Sequence, residues 1–335
     1  YQGRRKWERS LQVPHQSMRD ALITMITVQG DTEFASVEQQ RHLLASAPTD
    51  FDRYSAARIM AEEQRHGWQM AYLLMTYFGQ QGRREAQKLL ERNAQDGDRL
   101  LGAFNIPMPH WLDFFCYTMF VDRDGKFQLG MLSTSAFKPL AASMGPMLKE
   151  EAFHLGTGFN GLRRIIKAGV VPLDLLQRYI NKWVSTAHDL FGVDASSSAH
   201  WAYVWGVKGR WDERKKLDAG IAVDKATLNE ESRGHYHDEI VGEVRKLCGY
   251  LPDDATKLYV PHENFNRSIG TAKGKRFTVD GAPFEGSDDD WKEYLSTHLP
   301  TDQDEIDLKE LFKQEWIANK PMSTRQIESG IGVSA

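Results

Sequence analysis

The chain has 335 residues, enough for one large domain or two small ones with a full hydrophobic core. Apolar residues make up 41% and charged residues 26%, with a formal net charge of −4, so nothing points to nucleic acid or an anionic membrane as the main partner. No apolar run approaches the ~18 residues of a membrane span, and the two cysteines, Cys116 and Cys248, form no zinc or disulfide pattern, which favours a reducing, cytoplasmic setting.

The sequence begins at Tyr1, and its native start is expected to be missing. Residues 14–168 carry helical-period apolar stripes broken by Pro and Gly clusters. A first helix is expected from about Pro14 to about Ala45. The turn Ser46-Ala47-Pro48-Thr49-Asp50 follows, with its own capping residue. A second helix runs from about Asp50 to Phe78 and ends at Gly79-Gln80-Gln81-Gly82. A charged connecting helix is expected near 83–95. Pro107-Met108-Pro109 precedes a third long helix, about 110–135. Lys138-Pro139 starts a fourth, which ends near Gly169. Gly145-Pro146 lies inside the fourth helix and is expected to kink or restart it. Residues 169–250 read as further helices packing on the same domain. Residues 251–335 read as a small C-terminal extension. It holds a β-hairpin in Lys275–Phe284 around Asp280-Gly281, an amphipathic helix at about 303–318, and a polar tail.

One internal quasi-repeat carries chemistry. Among eleven histidines, two have a glutamate three residues earlier, and both share the form Glu-Glu-x-x-His: Glu62-Glu63-Gln64-Arg65-His66 and Glu150-Glu151-Ala152-Phe153-His154. On a helix, positions three apart share a face, so a carboxylate and an imidazole there can bind one metal or two neighbouring ones. Di-metal bundles use this pair on two helices, plus one carboxylate from each of the other two. A hairpin brings residues equally far from its turn to the same height. Across the turn at Pro48, Glu63 matches Glu33, each roughly 22 Å along its helix from the turn. Across the break at Phe137-Lys138-Pro139, Glu151 matches Asp122. Each acid sits inside an apolar stripe, for example Ala56, Ile59, Met60, Glu63, His66, Met70 in the second helix. Four unpaired carboxylates in one core are costly, and two metal ions offset that charge. Carboxylates with one imidazole per metal suit iron or manganese. An ordinary bundle with surface Glu-x-x-His pairs is the better reading of either pair alone, but not of all six residues together. The fold class is therefore all-α: a ferritin-like four-helix bundle (14–168) with additional helices (169–250) and the small extension. Glu62, Glu150 and Glu38 read as solvated acids or as partners behind the ligands. Gln29 faces either the metals or the core.

At these residues the sequence resembles a known family. Gly30-Asp31-Thr32-Glu33, Val37-Glu38-Gln39-Gln40-Arg41-His42-Leu43 and Asp122-Arg123-Asp124-Gly125-Lys126-Phe127-Gln128-Leu129 are similar to the oxygenase components of benzoyl-CoA 2,3-epoxidases, and more distantly to the catalytic subunits of phenylacetyl-CoA ring epoxidases. The likeness continues through Asp189-Leu190-Phe191-Gly192, Gly206-Val207-Lys208-Gly209-Arg210 and Pro261-His262-Glu263-Asn264-Phe265. It implies a di-iron monooxygenase that uses O₂ to epoxidise the ring of an aryl-CoA, benzoyl-CoA first and phenylacetyl-CoA next, in aromatic degradation. Electrons would come from NADPH through a flavin and iron–sulfur reductase. Glu33, Glu63 and His66 would serve one half of the metal site; Asp122, Glu151 and His154 would serve the other. The ring is expected beside Phe114, Phe115, Met119 or Phe153. Arg163, Arg164, Lys167, Lys208 and Arg210 are candidates for the CoA phosphates. A homo- or hetero-oligomer is left open.

Three rivals are weighed. A radical-generating ribonucleotide reductase subunit needs a tyrosine about one turn past the first metal histidine, where this chain has Met70, with Gly158 after His154. A ferritin-type iron oxidase or store leaves the residues after the bundle without a task. A metal-free structural subunit of an oxygenase complex leaves six filled ligand positions unexplained.

Overall fold

The computed structural model describes residues 6–222 and 227–328, so the end of the polar tail lies outside the described residues. The described chain forms α1 (Gln16–Gln40), α2 (Asp50–Tyr77), α3 (Gly79–Glu91), α4 (Trp111–Leu132), α5 (Lys138–Ala168), α6 (Leu173–Leu190), α7 (Ser197–Val204), α8 (Glu213–Asp218), α9 (Leu228–Cys248), α10 (Asp288–His298), α11 (Asp302–Leu311) and α12 (Thr324–Glu328). The architecture is an all-helical bundle. α1 packs on α2, α4 packs on α5, and the two hairpins meet through α2 and α5. α3 covers the first hairpin, and α6 and α9 lie against α4.

Local chemistry explains the helix ends. The Thr49 hydroxyl accepts from Asp52 N and starts α2, with Asp50 and Asp52 in its positive first turn. His110 accepts from Asp113 N and starts α4. Pro139 fits the first turn of α5, and Gly169 (φ 66°) closes it.

α4 is the central helix. Every residue from Trp111 to Asp124 is buried, which is how a helix surrounded by others reads. One apolar core joins its Phe114, Tyr117 and Phe120 to Trp183 of α6 and Tyr236 of α9. A second joins Leu22 and Ile26 of α1 to Leu74 of α2 and to Met144 and Met147 of α5. α4 and α5 approach closely because two small residues let them. A Cβ on Gly158 would stand 2.4 Å from Met119 N, and one on Gly161 would stand 2.1 Å from the Phe115 ring. The hairpins are also tied by charge. Arg164 of α5 donates to both carboxylate oxygens of buried Asp52 of α2, at 2.6 and 3.0 Å. Arg164 Nε also donates to Ala318 O, which holds the C-terminal segment on α5.

Several expectations need correction. No strand forms among the described residues, so the expected β-hairpin is absent. The tight turn at Asp280-Gly281 does form, with Gly281 at φ 90° and Thr278 N donating to Ala282 O at 2.9 Å. Pairing is limited to one bridge, Phe277 with Pro283, made by Thr278 N to Ala282 O and Phe284 N to Arg276 O, each at 2.9 Å. Pro146 does not restart its helix: α5 runs unbroken through it. The carbonyl it leaves without a donor belongs to Ala142, which is exposed and open to water. α1 ends at Gln40 and a 3₁₀ segment, Arg41–Ser46, finishes the turn. α11 stops at Leu311, short of 318, where Phe312 and Trp316 fold together with rings 4.3 Å apart. α10 was not expected. Its signal was the capping box of Ser287 and Asp290.

A Gly158→Ala substitution should lower stability by about 1–3 kcal/mol, because the new methyl group meets the α4 backbone rather than a movable side chain. An unchanged denaturant midpoint would show that α4 and α5 can separate freely.

Candidate metal centre

The six residues singled out by the Glu-x-x-His repeat meet at the centre of the bundle. α1 supplies Glu33, α2 supplies Glu63 and His66, α4 supplies Asp122, and α5 supplies Glu151 and His154. None is more than 7% exposed. Ligand atoms of Glu33, Glu63 and His66 lie within 4.8 Å of one another, as do those of Glu63, Glu151 and His154. Glu63 belongs to both groups. Asp122 joins the second, with Oδ2 3.7 Å from His154 Nδ1.

The two hairpins brace each other through their paired glutamates. His66 Nε2 on α2 meets Glu150 Oε2 on α5 at 2.6 Å, and His154 Nε2 on α5 meets Glu62 Oε2 on α2 at 3.0 Å. Each carboxylate is placed to accept a proton from Nε2, which leaves Nδ1 of both rings facing the cluster. His66 Nδ1 lies 3.3 Å from Glu33, and His154 Nδ1 lies 3.2 Å from Glu63 and 3.6 Å from Glu151. Four inward atoms make no hydrogen bond: His66 Nδ1, His154 Nδ1, Asp122 Oδ2 and Glu151 Oε2. Such atoms are rare inside proteins. Here His154 Nδ1, Asp122 Oδ2 and Glu151 Oε2 lie together, while His66 Nδ1 faces Glu33, and hard cations accepting carboxylate and imidazole donors would satisfy both sets. The residues therefore fit a metal centre.

Electrostatics agree. Burial pushes Glu63 well above the usual carboxylate range, with Glu33 adding to the shift. Burial likewise pushes Glu151 well up and raises Asp122 to about 7. At Glu33 burial is outweighed by neighbouring His66, and its pKa falls. At His154 burial is outweighed by Glu151 and Glu62, and its pKa rises to about 9.

A cavity of about 190 Å³ adjoins the cluster. It lies between α1 and α4, lined by Glu33, Glu63, Asp122 and Glu151 and by apolar Met25, Val28, Leu101, Phe104, Val121, Leu129 and Leu132. Gln29 is part of this wall and donates to Glu33 Oε1 at 2.6 Å. The other side chains expected around a ring lie elsewhere. Phe114, Phe115 and Met119 fill the core, and Phe153 stacks beneath Arg58 at 3.8 Å. Sequence reasoning missed Tyr117, Ser36 and Phe104 in the wall. Ser36 stands one helical turn from Glu33 and was findable; Tyr117 lies five residues before Asp122 and was hidden in an aromatic run.

The candidate cations divide in the same way. Arg164 is committed to Asp52. Arg210 pairs with Asp212 and Glu231. Arg163 and Lys167 lie over the Tyr250 ring. Lys208 is buried and lines the cavity. Glu38 belongs to neither metal group: it receives Arg99 at 2.6 Å and Ala94 N at 3.1 Å, and fastens the loop before α4 onto α1.

A helical bundle that gathers carboxylates and imidazoles beside an apolar cavity defines a protein able to hold metal in its core. Residues 8–267 match the family described as phenylacetic acid catabolic protein, and the chain belongs to that family. It is 36% identical to benzoyl-CoA oxygenase component B of Aromatoleum evansii, over 93% of this chain and 74% of that protein. It is 23% identical to one of the subunits of 1,2-phenylacetyl-CoA epoxidase from Escherichia coli (strain K12), over 70% of each chain. The chain is an oxygenase enzyme. Among the described residues no helix is long and apolar enough to cross a membrane.

Metal loading should reverse the pH response of stability. The raised Asp122 contributes stability below about 4 that is lost as pH climbs through about 7. His154 contributes stability below about 6.5 that is lost through about 9. Both act in one direction, so chelator-treated protein should melt at progressively lower temperature from pH 6 to 9 relative to metal-loaded protein. A constant gap between the two melting curves across that range would contradict this.

Proposed function

We propose that this chain is the oxygenase component of an aryl-CoA ring epoxidase, with benzoyl-CoA as first substrate and phenylacetyl-CoA as second. The observation that carries the proposal is the meeting of six buried side chains from four helices, with four unbonded donor atoms turned inward, against one apolar cavity. The relatives' names support the substrate class.

Two iron ions would be held by Glu33, Glu63 and His66 on one side and by Asp122, Glu151 and His154 on the other, in the ferritin-like manner. When bound, such a pair supplies the redox chemistry that places one atom of O₂ on the ring and releases the other as water, with electrons from NADPH through a flavin and iron–sulfur reductase. The protein's own work is positional. Glu62 and Glu150 fix the ring orientation of both histidines. Gln29 donates to Glu33 and holds it at the cavity wall. Leu129, Leu132, Val121 and Phe104 exclude water from the space beside the carboxylates. Glu63, within reach of both histidine groups, is suited to join the two halves. A metal-free scaffold would leave the buried unbonded atoms without a role.

With reductase, NADPH and O₂, iron-loaded protein should convert benzoyl-CoA to a product one oxygen atom heavier. Glu63→Ala should reduce bound iron from two ions per chain to one or none and abolish conversion. Iron-loaded protein that turns over neither benzoyl-CoA nor phenylacetyl-CoA would remove the substrate assignment, and a Glu63→Ala chain retaining both ions would remove the ligand assignment.

A further inference from the structure

Among the described residues, six cationic side chains are buried: Arg99, Arg123, Arg164, Lys208, Arg210 and Arg267. Five of them are held by carboxylates. Arg99 pairs with Asp31 and Glu38, Arg123 with Glu239, Arg164 with Asp52, Arg210 with Asp212 and Glu231, and Arg267 with Asp189. Lys208 differs. Its ammonium donates to two amide oxygens, Gln128 Oε1 at 2.7 Å and Asn229 Oδ1 at 3.5 Å, and among the described residues no carboxylate lies within ion-pairing distance. Gln128 in turn donates from Nε2 to Asp124 at 2.9 Å, and Asp124 lines the same cavity. Asp124 and Asp194 act on the ammonium from beyond ion-pairing distance, and a buried cation whose hydrogen bonds go only to amides is under-supplied with acceptors.

The shortfall has a counterpart in the cavity. Lys208 and Gln128 line the same space as Glu33, Glu63, Asp122 and Glu151, and much of the wall is apolar. This space suits a flat apolar ring that carries one acceptor oxygen. We infer that the Lys208 ammonium donates a hydrogen bond to the carbonyl oxygen of the aryl thioester, and so determines which edge of the ring faces the carboxylate–histidine cluster. The inference rests on the proposed function. It moves Lys208 from the CoA phosphates, which are polyanions suited to an open basic surface, to the acyl end of the substrate. Burial lowers the Lys208 pKa to about 8, so near neutral pH the side chain remains mostly a charged donor. Gln128 and Asn229 hold the ammonium without neutralising it. A carboxylate in their place would satisfy the lysine and leave nothing for a ligand.

The test compares two ligands by calorimetric titration into iron-loaded protein under anaerobic conditions: benzoyl-CoA, and benzyl-CoA, in which a CH₂ replaces the carbonyl. Wild-type protein should prefer benzoyl-CoA. Lys208→Met should weaken benzoyl-CoA about tenfold to a hundredfold and leave benzyl-CoA unchanged, because a charged hydrogen bond to one oxygen has been removed. Lys208→Gln, which keeps a neutral donor of lesser reach, should give an intermediate preference, and thermal melts establish that both variants fold. Equal weakening of both ligands would place Lys208 at the CoA phosphates and overturn the inference. Unchanged binding of both would make Lys208 a structural residue and also overturn it. If wild-type protein binds no aryl-CoA, the proposed function fails, and that failure is visible before any variant is measured.

Discussion

Four carboxylates, Glu33, Glu63, Asp122 and Glu151, occupy the interior of a helical bundle within a few ångströms of two imidazoles, and the rest of the molecule is arranged around that crowding. Like charges in a dry core repel strongly and are poorly solvated. The chain meets this in two ways. Burial raises the pKa of Glu63, Glu151 and Asp122, and the neighbouring acids raise that of His154. The inward donor atoms are left unbonded, so that a metal ion can take over the compensation. A site prepared this way trades stability of the empty bundle for affinity toward a cation.

The tertiary arrangement that makes this tolerable is reciprocal. Each hairpin offers an acid on its first helix and a Glu-Glu-x-x-His on its second. The outer glutamate of each second helix then reaches the histidine of the other. Brace and histidine thus come from opposite hairpins, so the cluster keeps its geometry only if α2 and α5 stay in register. Buried Asp52 and Arg164 join the same two helices farther along. Gly158 and Gly161 let α4 approach α5 closely enough for Asp122 to enter the site.

On the remaining side, α1 and α4 flank a cavity rather than sealing against each other. The helices after α5 add the parts that a bare bundle lacks. α6 and α9 cover α4, so that α4 is buried all round from Trp111 to Asp124. The segment after α7 brings Lys208 into the wall of the cavity that adjoins the cluster. The wall thus joins apolar side chains, the carboxylates of the cluster, and a Lys208–Gln128–Asp124 hydrogen-bond chain.

Much of the centre was legible in the chain itself. Helical periodicity, Pro and Gly punctuation and the Glu-x-x-His repeat are local signals, and two matched turns were enough to pair Glu33 with Glu63 and Asp122 with Glu151. The reason is geometric: a hairpin of straight helices converts distance from the turn into height, so sequence spacing becomes spatial register. What only the tertiary structure decided involves contacts between elements far apart in the chain. Glu62 and Glu150 became braces because α2 faces α5. Phe114, Phe115 and Met119 became core rather than cavity wall because α4 presents them to α5 and α6. Arg164 and Arg210 were taken up by buried acids. The Lys275–Phe284 segment stayed a turn closed by a single bridge, and no neighbouring strand exists among the described residues to extend it. Which face of a fully buried helix meets which neighbour is decided by packing between helices, and an apolar stripe that runs all round α4 carries no record of that choice.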